Sequence, residues 1–91
     1  MSKRLFELGQ LVMTPGALDT MVEFDIDPVD LSKRHKTGNW GDLDEADKEE
    51  NELSLKEGFR ILSAYGDGES RLWIITEADR SVTTILRPDE Y

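Results

Sequence analysis

The chain contains no cysteine and a single histidine, His35, among its 91 residues. Thiol catalysis, disulfide staples and cysteine-held metals are therefore excluded. A secreted domain of this size usually depends on disulfides, so the absence points to a reducing compartment, the cytoplasm. A zinc site would have to supplement His35 with carboxylates alone, an unusual ligand set, so neither a metal nor a cofactor is expected. Basic charge is scarce too: 11 Lys and Arg stand against 20 Asp and Glu, for a net charge of −9. That balance argues against direct contact with nucleic acid or anionic lipid, which attract basic surfaces. Long hydrophobic runs are missing. The longest, Leu72 to Ile75, is far too short to span a membrane. Met1 to Arg4 begins with positive charge, but Glu7, Gly9 and Gln10 interrupt any apolar stretch, so no signal peptide is expected. The chain also carries no G-x-S-x-G elbow, no P-loop and no G-x-G-x-x-G turn.

What remains is enough for one domain, residues 1–91, with a modest core. Hydrophobic residues make up 37% of the chain and charged residues 34%. Proline and glycine punctuate it. Residues 5–13 read as a first strand, bent at Gly9. Thr14-Pro15 supplies a capping hydroxyl followed by proline at the first helical position, and Asp27-Pro28 repeats the device. The first helix places Leu18, Met21 and Val22 on one face. The second runs to about Lys36 and ends in Lys33, Arg34, His35 and Lys36, the favourable charge for a helix C-terminus. A third helix covers roughly 44–57, stopped by Gly58, with Leu43, Ala46, Leu53 and Leu55 as a thin apolar stripe.

After Gly58 the hydrophobic period changes from 3.6 to 2. Phe59 to Tyr65, residues 71–76 and residues 81–87 read as three strands joined by turns at 66–69 and 77–80. The middle strand is apolar on both faces and suits a central position, with Trp73 in the core. The expected fold is therefore α+β, in the order β-α-α-α-β-β-β. The last three strands form an antiparallel meander, the first strand joins them, and the helices pack on one face of the sheet.

The charge is unevenly distributed. Residues 42–57 hold eight carboxylates against two lysines, a balance of −6, and residues 19–30 hold five carboxylates and no base, −5. The rest of the chain is left at +2. The candidate partner-binding residues are Asp42, Asp44, Glu45, Asp47, Glu49, Glu50 and Glu52, with Trp40. Carboxylates spaced along a helix resemble the phosphates of a nucleic-acid strand, so such a face suits the basic groove of a nucleic-acid-binding protein. The plainer reading is a solvated helix face with acidic residues near its N-terminus.

Other arrangements carry less chemistry. Residues 42–47 superficially suggest a calcium loop, but Asp47 stands where the EF-hand requires glycine. Glu77 and Asp79 follow the most buried strand and read as turn residues. His35 reads as a complement to the helix dipole. Trp40, flanked by glycines, serves either as an anchor for a partner or as a cap on the protein's own small core, and the scarcity of large aromatics favours the core.

The segments Gly38 to Leu43, Glu49 to Leu53, Phe59 to Tyr65 and Trp73 to Ser81 together resemble a family of small acidic accessory proteins of bacterial plasmids and integrative elements. Thr14 to Leu18 and Leu86 to Tyr91 extend the likeness to almost the whole chain. The resemblance implies a mobile-element context, in which small acidic proteins neutralise host defence, CRISPR or restriction, by mimicking nucleic acid. It carries over no catalytic residues. The expected function is a non-enzymatic inhibitor that docks on a basic nucleic-acid-binding defence complex. An antitoxin-like or regulatory interaction module using Trp40 or the sheet is the alternative, and a small enzyme is a third. A homodimer through an exposed strand edge is compatible with either binding role.

Overall fold

Helix starts and stops follow the local chemistry. In the computed structural model, which describes residues 4–91, α1 spans Pro15–Glu23, α2 Pro28–Lys36 and α3 Glu45–Glu57. The side chains of Thr14, Asp27 and Asp44 accept hydrogen bonds from Ala17, Val29 and Asp47 N–H groups, satisfying donors that the first turns leave free. Four strands complete the fold: β1 Gln10–Met13, β2 Ile61–Tyr65, β3 Leu72–Thr76 and β4 Val82–Leu86.

The sheet order is β1-β4-β3-β2. β2, β3 and β4 form the antiparallel meander, and β1 pairs parallel with β4 to make the sheet mixed. A parallel pair needs a long crossover, and here everything from α1 to β3 supplies it. β1 is shorter than the sequence pattern predicts. Gly9 adopts a left-handed φ of 66°, and a Cβ there would collide with the Ser81 carbonyl. The chain turns at that point, and Phe6 and Leu8 leave the strand path to join the core.

The register puts Ile61, Ser63, Tyr65, Leu72, Ile74, Thr76, Thr83 and Ile85 on one face. Ala17 and Met21 of α1 and Leu31 of α2 close over its upper half. Phe6, Trp40, Ile61, Leu43 and Leu55 form a second cluster at its lower end. The sequence misassigned some faces. Leu18 and Val22 of α1 are exposed, Val22 at 82%, while Ala17, Thr20 and Met21 point inward. On α3 the inward residues are Asn51 and Ser54, and Leu53 faces solvent. Trp73 lies half-buried on the second face of the sheet, edge-on to Tyr91 with ring centres 5.8 Å apart.

Side chains seal what the sheet leaves open. β2 is an edge strand, and the Asn51 side chain on α3 donates to Leu62 C=O at 2.6 Å and accepts from Leu62 N–H at 3.1 Å. Two residues on, Ala64 donates to Trp40 C=O and accepts from Asp42 N–H. Gly41 makes this approach possible: its φ is 75°, and a Cβ would strike the Ala64 carbonyl. Arg80, at the β3–β4 turn, donates to the carbonyls of Phe59 at 2.7 Å and Ser54 at 3.0 Å, tying the end of α3 to the sheet. At the far end, Glu90 accepts from the Thr14 hydroxyl at 2.6 Å and from Gly16 N–H, which clamps the chain's last turn onto the start of α1.

Replacing Asn51 with alanine leaves both backbone groups of Leu62 without a partner. The expected loss is about 2–3 kcal/mol in denaturant unfolding. A loss within a few tenths of a kcal/mol would show that solvent replaces the side chain at this edge.

Candidate functional site

The acidic face is built on α3 and the turn before it. Asp42, Asp44, Glu45, Asp47, Glu49, Glu50 and Glu52 are all exposed. The 13-residue helix rises about 20 Å and so displays its carboxylates along a rigid line. Two of them also serve the fold. Asp44 caps α3, and Glu52 accepts from the Trp40 indole N–H at 3.3 Å. Glu45 lies 3.7 Å from Lys48, an exposed pair worth little. Among the described residues, Asp42, Asp47, Glu49 and Glu50 make no side-chain hydrogen bond or ion pair.

Trp40 does not extend this face outward. Its ring is 5% exposed, stacked with Phe6 at 6.3 Å and edge-on to His35 at 6.1 Å. Of the two roles open to it, the core role is the one the fold uses. Glu52 is what links it to the acidic surface.

No sequence argument anticipated what His35 does. The ring is fully buried, so it is not a solvated complement to the helix dipole. Its Nδ1 meets Ser63 Oγ, and its Nε2 lies 2.9 Å from Thr76 Oγ1. Thr76 Oγ1 is 2.7 Å from Thr83 Oγ1, whose hydroxyl donates to Leu8 C=O. That last bond sets the direction of the rest. The single Thr83 proton goes to Leu8, so Thr76 donates to Thr83. Thr76 then accepts from Nε2–H, and Ser63 donates to an unprotonated Nδ1. Burial keeps the imidazole neutral, so its one proton is on Nε2. Desolvation pushes its pKa down to about 3. The signal was in the sequence: Ser63, Thr76 and Thr83 sit at inward positions of three neighbouring strands, and His35 shares a helix face with Leu31.

A serine hydrogen-bonded to a histidine is also the elementary nucleophile–base pair. Here Ser63 and His35 are both fully buried, so a substrate has no access to the pair. The pair thus has a structural role. Glu77 and Asp79 are turn residues. Glu77 faces Arg60 at 4.0 Å, and hydrogen bonds from Ser81 hold the Asp79 carboxyl below its ordinary pKa. Among the described residues, no three His, Asp or Glu side chains converge on a point that would hold a metal ion.

Comparison with protein-family models, curated proteins and solved structures finds no match. Among the described residues no helix is long and apolar enough to cross a membrane. Function must therefore be argued from the surface and its chemistry.

The buried imidazole makes stability pH-dependent. The unfolded chain takes up a proton near pH 6.5, and the folded one refuses it until about pH 3. The penalty is absent above pH 6.5 and grows by up to about 1.4 kcal/mol per pH unit below it. Between pH 7.5 and 5 the wild type should lose about 2 kcal/mol more than a His35→Gln variant, a comparison in which the common carboxylate effects cancel. Equal losses in the two proteins would mean that His35 accepts a proton in the folded state.

Proposed function

We propose that the protein is a non-enzymatic binding protein whose α3 face occupies a basic nucleic-acid-binding surface on another protein. The observation that carries the reading is that this face is more acidic than the fold needs. α3 is held by Asn51, Ser54 and Leu55, yet Asp42, Asp47, Glu49 and Glu50 project from it unpaired among the described residues. Such a surface steers toward cationic grooves and excludes the anionic strand that would otherwise bind there. The sequence resemblance to accessory proteins of bacterial mobile elements supplies the context: a cytoplasmic inhibitor of a CRISPR or restriction complex, acting as a nucleic-acid mimic. The sealed Ser63–His35 pair supports the non-enzymatic part of the reading.

A second reading rests on a different surface. The face of the sheet opposite α1 and α2 presents half-buried Val12, Leu62, Trp73 and Val82. An antitoxin-like or regulatory module, or a homodimer, would use that face. Trp40 is no longer its anchor, because the ring is spent in the core.

The test is affinity purification from a bacterium that carries both kinds of defence system, at low and at raised salt. Asp42→Lys, Glu49→Lys and Glu50→Lys together avoid the capping Asp44 and the Trp40-linked Glu52, so the variant should keep its fold. It should lose a salt-sensitive, nucleic-acid-binding partner by at least about 100-fold in affinity. A partner retained by that variant but lost by Val82→Asp would transfer function to the sheet.

A further inference from the structure

A cleft of about 850 Å³ opens beside the end of α2, lined by Arg4, Lys33, Arg34, Lys36 and the turn 37–39. Among the described residues no carboxylate lines it, in a chain with 20 Asp and Glu. The cations are not needed to satisfy the helix end. Lys33 C=O accepts from Thr37 N–H and hydroxyl, Arg34 C=O from Asn39 N–H, His35 C=O from Gly38 N–H and Lys36 C=O from Leu5 N–H. Nor are they spent on ion pairs. Arg4 lies 3.1 Å from Glu7, whereas Lys33, Arg34 and Lys36 form none among the described residues.

One cation is held in place. The Arg34 guanidinium lies 4.5 Å from the centre of the Tyr65 ring, and the Tyr65 hydroxyl donates to Asn39 C=O at 2.6 Å. The ring thus braces the turn that walls the cleft, and it holds the guanidinium where this cleft meets a second one lined by Asp25, Asp27 and Asp30. A stacked guanidinium loses little further freedom when it accepts a bidentate oxyanion.

We propose that this cleft is a binding site for a small phosphate-bearing anion, with Arg34 as the oriented fork and Lys33 and Lys36 as flanking charges. The cleft's volume lies in the range of small-ligand sites. A long polyanion is disfavoured, because it would run from the cleft onto a surface whose net charge is −9. A compact anion stays within about one Debye length of the cations.

The test is an amide NMR titration of the whole protein with inorganic pyrophosphate at about 0.1 M ionic strength, where the Debye length is about 10 Å, with Lys33→Gln/Lys36→Gln and Arg34→Gln variants in parallel. A nucleoside monophosphate is compared with its parent nucleoside to separate phosphate recognition from base stacking. The expected result is saturable shifts confined to residues 33–39 and Tyr65, weakened about tenfold or more in each variant, with no response to the nucleoside. Shifts that fail to saturate, or that persist unchanged in both variants, overturn the assignment. So does a shift of the same residues with protein concentration alone, which would give the cleft to the acidic face of a second copy.

Discussion

The buried His35 ring ties α2 to the sheet. From α2 its two ring nitrogens engage β2 through Ser63 and β3 through Thr76, and the chain of hydroxyls runs on to β4 and to the Leu8 carbonyl. Four segments distant in sequence thus meet on one ring, with Phe6 edge-on to it at 5.1 Å and Trp40 beside it. A purely apolar centre would tolerate small shifts of the helix over the sheet. This one does not, because displacing the ring leaves several buried polar atoms without partners in a low-dielectric interior. Among the described residues no buried side-chain polar atom lacks a partner. The position of α2, and with it the cleft at its end, follows from that chain.

Much of the architecture was legible in the residues. The two proline-led starts and Gly58 as a stop gave three helices at nearly their observed limits, and the change of period after Gly58 gave the meander. Periodicity was less informative about which face is buried. Val22 and Leu53 occupy apolar positions but point to solvent, while Thr20, Asn51 and Ser54 point inward. In a domain this small the inward faces carry hydrogen-bonding work as well as hydrophobic burial, and a hydrophobicity pattern cannot see the partner that makes a buried asparagine or threonine stable. The acidic face was legible as charge. That Glu52 holds Trp40, and that Trp40 therefore lies inside, depends on a contact between two elements that no local pattern encodes.

Opposite charges coexist on this small surface through separation by segment. Eight carboxylates ride on α3 and the turn before it, five more lie in residues 19–30 up to the first turn of α2, and the unpaired cations gather at the end of α2. At physiological ionic strength these fields are screened over about 8 Å, so each is felt mainly by what docks directly against it. The molecule is therefore better described as two acidic fields and one basic one than as a uniformly acidic body.

The parallel pairing of β1 with β4, and the clamp of Glu90 onto Thr14, give the first strand a sheet partner far from it in sequence, the only one among the described residues. During synthesis the ribosome releases Gln10–Met13 long before Val82–Leu86 exists. Until then the segment has apolar side chains and no neighbour, and α1 lacks the strand beside it and its Glu90 cap. Closing so long a loop is entropically costly and slow compared with local helix formation. Assembly of this domain is thus held back until β4 has been made, and a nascent chain stalled before β4 exposes a short, unpaired strand to whatever else in the cell can extend it.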